Sequence, residues 1–135
     1  ENHLEFIFRE TGVAHIRGAQ TENKSKPDFL FPGLPQYLND AFPGDGLTIL
    51  GAKSTCKDRW RQVLSEAGRI KRKHLVTLEP GISSNQLEEM EANELQLIVP
   101  SSIHETYKAE SRGWLWSLSD FVEHVREKQA AYLGK

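Results

Sequence analysis

The run LTILGAKST at residues 47–55 constrains the fold of this chain more than any other stretch. Its apolar residues are consecutive, which is typical of a central strand buried on both faces. A helical pattern follows at residues 55–70, with Thr55 as the expected cap and an apolar stripe of Trp60, Val63, Leu64, Ala67 and Ile70. A buried strand that leads directly into an amphipathic helix indicates an α/β domain.

Strands and helices continue to alternate along the chain. The apolar patterns predict strands at 13–20, 27–33, 74–80 and 94–100, and helices at 1–11, 83–93 and 114–133, of which the first is expected to stop at Gly12. Residues 34–46 are rich in Pro, Gly, Asn and Asp and are expected to form a loop. We therefore predict a mixed central sheet flanked by helices. The strands at 28–32 and 47–54 should be neighbours, with the 55–70 helix packed on them through Trp60 and Val63.

Composition limits the classes of function. The 135 residues suit one domain, and a net charge of −2 means that any nucleic-acid surface must be local. The single cysteine, Cys56, excludes an internal disulfide and a cysteine-based zinc site, and it fits the reducing cytoplasm. The sequence has no apolar stretch of membrane-spanning length and no signal-peptide pattern at its start. We expect a cytoplasmic protein without a membrane partner.

Three charged residues are candidates for a catalytic site. Asp28 begins one predicted strand, Lys53 ends the next, and Glu66 lies on the predicted helix that follows. If the two strands pair, Asp28 and Lys53 meet at one end of the sheet. Carboxylates hold Mg²⁺, which activates a bound water and neutralises charge on a phosphorus centre, and a lysine can orient or deprotonate that water. Two carboxylates and a lysine in one cleft suit phosphodiester hydrolysis.

The same residues have ordinary structural interpretations. Asp28 follows a proline and is a typical turn former, and Lys53 can extend from a strand end into solvent. Glu66 can pair with Arg59 or Arg69 on the same helix. The residue pattern alone leaves these interpretations and a metal site open.

Four segments together resemble a known family. They are KPDFLFP, LTILGAKSTCKDRWRQVLSEAGRI, HLVTLEPGIS and LQLIVPSSIHETY. They resemble the catalytic domain of the EcoRII-type restriction endonucleases, in the branch of the PD-(D/E)xK nuclease superfamily that cuts CC-GG-type sites. The similarity extends over nearly the whole chain and weakens after Arg112. The usual superfamily carboxylate precedes the lysine by two residues, where this chain has Gly51. The EcoRII-type branch carries it on the following helix, at the position of Glu66.

The resemblance implies a restriction-endonuclease-like fold and a role for each candidate. Asp28 and Glu66 would be ligands of Mg²⁺, and Lys53 would lie at the attacking water. The family also uses a glutamate from the first helix, for which Glu1 is the best match and Glu5 the alternative. A catalytic residue at position 1 leads us to expect that residues 1–135 are one catalytic domain lacking its natural upstream sequence.

The resemblance also assigns a role to the consecutive residues Lys57, Asp58 and Arg59, which we call the triplet. They would read bases from a helix start presented to the major groove. Lysine and arginine donate to guanine O6 and N7, and aspartate accepts from cytosine N4. The basic segment RIKRKH at residues 69–74 is either a phosphate contact or a solvated helix end, and we prefer the second.

The leading hypothesis is a Mg²⁺-dependent, site-specific endonuclease that acts on double-stranded DNA as a homodimer. A palindromic site requires a two-fold protein, and the family's targets suggest CC(A/T)GG or a close relative. The contacts to the central base pair are expected upstream of Glu1. Two alternatives remain: a DNA-binding module without catalysis, such as a truncated fragment, and a nuclease of another specificity, such as a repair enzyme.

Overall fold

The computed structural model describes residues 2–18, 20–21, 27–56 and 59–134. Its helices are α1 (Asn2–Glu10), α2 (Leu34–Leu38), α3 (Arg61–Leu64), α4 (Ser84–Ala92), α5 (Ala109–Arg112) and α6 (Leu118–Leu133). Its strands are β1 (Ile16–Arg17), β2 (Phe29–Phe31), β3 (Thr48–Lys53), β4 (Lys73–Thr77) and β5 (Leu95–Ile98). Short 3₁₀ turns occur at Gly44–Gly46 and Ser101–Thr106.

The strands form one mixed sheet in the order β1-β2-β3-β4-β5. β2 pairs antiparallel with both β1 and β3, whereas β4 pairs parallel with both β3 and β5. β3 therefore lies at the centre and has an antiparallel neighbour on one side and a parallel neighbour on the other. Both the predicted mixed sheet and the predicted pairing of the strands at 28–32 and 47–54 are confirmed.

Side chains of β3 alternate between two apolar layers, as the pleat of a strand requires. Leu50 and Ala52 pack toward α1 and α6, in a layer centred on Phe8 and Phe121. The opposite face of the sheet packs against α3 and α4, in a layer that includes Trp60, Val63, Leu75, Leu87, Met90 and Leu97. The central strand is thus covered on both sides, which explains its continuous apolar sequence.

Close packing between β3 and α3 leaves no room for a side chain at Gly51. A Cβ atom built there would lie 2.8 Å from Val63 Cγ2 and 3.5 Å from Leu75 Cδ1. Trp60 and Val63 are completely buried, which confirms the predicted packing of this segment on the sheet. Val63 has a stiff, branched side chain and cannot easily move aside.

The segment after β3 differs from the expected helix at 55–70. Among the described residues of this range, only Arg61–Leu64 is helical, and the residue that caps it is Trp60, without a side-chain hydrogen bond, so Thr55 is not the cap. The backbone N–H of Cys56 donates to Glu79 Oε1 at 2.6 Å, a partner outside this segment. Ala67 has a φ of 50°, a left-handed conformation that ends the helical path.

Other elements are shorter or additional compared with the sequence prediction. β1 has only two residues, and the expected loop at 34–46 contains the short helix α2 and a 3₁₀ turn. The predicted stop of the first helix at Gly12 is confirmed, since Gly12 has a φ of 73° directly after α1. In the described part of the chain, no helix has both the length and the apolar content needed to cross a membrane.

The Gly51 contact generates a stability prediction. Gly51→Ala should destabilise the fold by about 1–3 kcal/mol, because the added methyl group overlaps Val63. Gly113→Ala is the matched control, since no atom lies within 4 Å of its built Cβ. That variant should be neutral or slightly more stable. The measurement is the free energy of unfolding in denaturant titrations, and equal stability of the two variants would contradict the described packing.

Candidate active site

Asp28 directly precedes β2 and is tied to the end of β3. Its Oδ2 accepts a hydrogen bond from the backbone N–H of Ala52 at 2.7 Å. Its own carbonyl oxygen accepts from the N–H of Gly18 at 3.0 Å. Asp28 is therefore fixed between the β1 and β3 sides of the sheet, and its carboxylate lies beside the residue that precedes Lys53. The expected meeting of Asp28 and Lys53 at one end of the sheet agrees with this geometry.

Lys53 is the last residue of β3 and pairs in register with Thr77, the last residue of β4. It is half-buried and borders an open pocket of about 640 Å³. The pocket is bounded by the start of α1, the ends of β3 and β4, and the start of α6, with Leu4, Ile7, Ala52, Val76 and Leu118 as its apolar wall. Lys53 therefore borders a solvent-accessible space at this sheet edge.

Glu66 lies in the same electrostatic environment as Asp28 and Lys53. Burial raises the pKa of Glu66, the Asp28 carboxylate raises this pKa further, and Lys53 and Lys73 lower it in part. The structure thus brings the three sequence-predicted residues into mutual influence. The Asp28 carboxylate opposes ionisation of Glu66, and two neighbouring carboxylates form a site that favours a bound cation.

Glu66 does not lie on a helix, in contrast to the sequence prediction. α3 ends at Leu64, and the Glu66 N–H donates to Val63 O at 3.1 Å in a final tight turn. The buried ammonium group of Lys73 donates to the carbonyls of Ala67, at 3.4 Å, and Ile70. Lys73 thereby stabilises the turn that follows Glu66, a role that sequence reasoning missed.

The basic segment at residues 69–74 does not have the role preferred for it from sequence. Lys73 and His74 are buried in β4, so the segment is not a solvated helix end. Arg69 donates to backbone carbonyls in the α2 region, those of Gln36, Tyr37, Asn39 and Phe42. Lys71 and Arg72 are exposed, but they precede β4 and lie at the sheet edge opposite Lys53 and Thr77.

The structure describes one residue of the triplet, Arg59. Lys57 and Asp58 lie outside the described residues, whereas Arg59 is exposed and its N–H donates to Cys56 O at 2.5 Å. The next residue, Trp60, is buried, so the chain turns into the core directly after Arg59. The position of Arg59 is compatible with contact to a partner in solvent.

The upstream glutamate has two candidates. Glu1 lies outside the described residues. Glu5 is on α1, where its Oε2 lies 3.2 Å from His15 Nε2 and its Oε1 lies 3.5 Å from Arg17 Nη1. Glu5 is thus engaged with the β1 region, so its described contacts link α1 to β1 and include none to Asp28, Lys53 or Glu66.

The donor set can be tested against Mg²⁺. Among the described residues there is no group of three or more His, Cys, Asp or Glu side chains that could hold a metal ion. Asp28 and Glu66 remain as an oxygen pair, and Asp28 uses one of its two carboxylate oxygens for the Ala52 N–H. Mg²⁺ retains several waters and is often held by one or two carboxylates. The pair fits this ion better than a softer metal that prefers nitrogen or sulfur.

Comparison with known proteins identifies the family and the fold. A sequence model of the family described as EcoRII C terminal matches residues 1–122. The type II restriction enzyme EcoRII of Escherichia coli is 46% identical over 126 residues, 93% of this chain and 31% of that protein. The chain therefore spans under a third of the length of this relative. The resemblance stated from sequence is confirmed.

Two solved structures share the fold. They are described as metal-depleted Ecl18kI in complex with uncleaved, modified DNA and with uncleaved DNA. The TM-scores are 0.80 and 0.79 at 18% and 19% identity, and each match covers 96% of this chain and 43% of the other. The predicted restriction-endonuclease-like fold is thereby confirmed. From the family match over residues 1–122 and the 46% identity, we conclude that the chain belongs to the EcoRII C-terminal family.

Proposed function

We propose that this chain is the catalytic domain of a Mg²⁺-dependent type II restriction endonuclease that hydrolyses phosphodiester bonds in double-stranded DNA. The observation that carries the proposal is the hydrogen bond from Ala52 N–H to Asp28 Oδ2, which holds a carboxylate beside the strand end that carries Lys53. Membership of a family whose E. coli relative is a type II restriction enzyme supports it. The DNA in the two Ecl18kI structures supports the choice of substrate.

Each residue of the site has a chemical role in this proposal. Asp28 and Glu66 would hold Mg²⁺ through carboxylate oxygens. When bound, the ion supplies an activated water and neutralises charge on the phosphate. Lys53 orients or deprotonates the attacking water and stabilises the extra negative charge as the phosphorus centre is attacked. Glu1 is proposed as the upstream glutamate, in preference to Glu5, because Glu5 is engaged by His15 and Arg17.

The proposed target is CC(A/T)GG or a close relative, read in part by Lys57, Asp58 and Arg59. Their donors and acceptor match the major-groove edges of neighbouring C·G pairs. A palindrome presents the same edges to two protein copies related by a two-fold axis, so we propose that the chain acts as a homodimer. Each copy then cuts one strand.

The role of Asp28 can be tested with a conservative variant. Asp28→Asn should lower the rate of cleavage of a CC(A/T)GG duplex by at least about a hundredfold, since metal activation is worth several kcal/mol. Duplex binding should be retained, because the amide oxygen can still accept from Ala52 N–H. Asp40→Asn, an exposed aspartate elsewhere in the chain, is the matched control and should cleave normally. An active Asp28→Asn enzyme would refute the assignment.

Glu66 generates a prediction about stability and pH. Its pKa is raised in the fold above the usual 4.5, so the ionised carboxylate opposes folding above the raised pKa and has no such effect below the unfolded value. Without divalent cations, Glu66→Gln should therefore be more stable than the wild type at neutral pH. This advantage should vanish as the pH falls toward 4.5.

Mg²⁺ should reverse this order, because an ion that binds only the folded state stabilises it. Added Mg²⁺ should raise the melting temperature of the wild type and leave that of Glu66→Gln unchanged. Thermal unfolding at several pH values, with and without Mg²⁺, gives both results without any cleavage assay. A wild type that gains no stability from Mg²⁺ would contradict the proposed metal site.

Base reading by Arg59 can be separated from general attraction to DNA. Arg59→Ala should cost about 1–3 kcal/mol of discrimination at one defined base pair. Arg72→Ala is the matched control, because Arg72 is also exposed but lies at the opposite sheet edge, and it should leave discrimination unchanged. Binding to cognate and single-mismatch duplexes is measured at two salt concentrations. If Arg59→Ala weakens all duplexes equally and lowers the salt slope, Arg59 contacts phosphate only.

A further inference from the structure

The segment between Lys53 and the triplet is held by side chains from the end of β4. The backbone N–H of Cys56 donates to Glu79 Oε1 at 2.6 Å. The hydroxyl of Thr77 donates to the carbonyl oxygen of Ser54 at 3.2 Å. The backbones of Ser54 and Cys56 thus have partners outside their own segment, at and just after the end of the neighbouring strand β4.

Glu79 is itself fixed from two sides. Its N–H donates to Thr77 Oγ1 at 3.2 Å, and its carbonyl oxygen accepts from the hydroxyl of Tyr107 at 2.5 Å. The ring of Tyr107 is buried, so this second bond anchors Glu79 to the core. A half-buried glutamate held in this way offers its carboxylate at a defined place rather than as a mobile surface charge.

The thiol of Cys56 does not account for the arrangement. Burial, together with the nearby Glu79 carboxylate, raises the pKa of this thiol to about 11, so it stays neutral and serves as a packing group. The contact from Glu79 is to the backbone N–H of Cys56, not to its thiol. A carboxylate at an edge that faces DNA phosphates is electrostatically unfavourable for binding, so its place there calls for a structural role.

We propose that Glu79 is a positioning residue for sequence recognition: it fixes the backbone at Cys56, whose carbonyl oxygen accepts from the Arg59 N–H, and thereby sets the direction in which Arg59 is presented. The inference rests on the proposed function. Base-edge hydrogen bonds require the side chains to be held within about 0.5 Å of the productive geometry, whereas contacts to phosphate tolerate more movement. Loss of Glu79 should therefore reduce discrimination between sequences and leave general DNA affinity in place.

The experiment compares binding of cognate and single-mismatch duplexes without divalent cations at two salt concentrations. Glu79→Ala should lower the ratio of mismatch to cognate dissociation constants by about tenfold, in the range for loss of one base contact. Its affinity for a non-specific duplex should be retained or rise slightly, because the removed carboxylate repels phosphate, and its salt slope should stay close to that of the wild type, because no phosphate contact is removed. Glu88→Ala, which removes an exposed glutamate of α4, is the matched control and should keep full discrimination.

Two further variants separate positioning from other roles. Glu79→Gln keeps an oxygen that can accept from Cys56 N–H, so it should restore most of the discrimination. Tyr107→Phe removes the hydroxyl that anchors Glu79 and should lose part of the discrimination. This variant provides the decisive measurement if Glu79→Ala does not fold. If Glu79→Gln fails as severely as Glu79→Ala at a single base pair, Glu79 reads that base directly and the positioning role is wrong.

The outcomes also separate this inference from the proposed function. A wild-type protein that binds all duplexes alike would overturn both. A wild type that discriminates, with Glu79→Ala and Tyr107→Phe equally selective, would overturn the role of Glu79 alone. Loss of discrimination in Glu79→Ala, with rescue by Glu79→Gln and an unchanged salt slope, would support it.

Discussion

The hydrogen bond between Ala52 N–H and Asp28 Oδ2 is the constraint on which the candidate site depends. Backbone pairing between β2 and β3 reaches Phe29, opposite Leu50. At the preceding residue, Asp28, the side chain rather than the backbone binds β3, through the N–H of Ala52. The carboxylate is thereby held to a rigid strand rather than to a loop, which is the arrangement that a metal ligand beside Lys53 requires.

The change of direction at β3 explains why the functional groups gather at one edge. β3 runs parallel to β4 and antiparallel to β2, so the ends of β3 and β4 lie at the same edge as the start of β2. Asp28, Lys53 and Thr77 meet there, and Glu79 follows. If β2 were parallel to β3, Asp28 would lie at the opposite edge, and the spacing of these residues in the sequence would have no chemical meaning.

The sequence predicted what local periodicity controls. The continuous apolar run of β3 placed Lys53 at a strand end, and the pairing with β2 placed Asp28 beside it. It did not predict how short α3 is, because apolar periodicity carries no information on contacts such as those from Glu79 to Cys56 and from Lys73 to the carbonyls of Ala67 and Ile70. Lys73 is buried on β4, but in the sequence it cannot be distinguished from the other residues of the basic segment at 69–74.

Packing and chemistry at β3 are linked through α3. The Val63 side chain fills the space over Gly51, where a Cβ atom would lie 2.8 Å from Val63 Cγ2. A carboxylate two residues before Lys53 would need that same space, so the structure excludes it while α3 is packed on the sheet. In the proposed metal site, the second carboxylate comes instead from the covering segment. Glu66, one turn beyond Val63, meets this requirement, and its pKa responds to both Asp28 and Lys53. The glycine and the displaced glutamate are therefore two consequences of the same close approach.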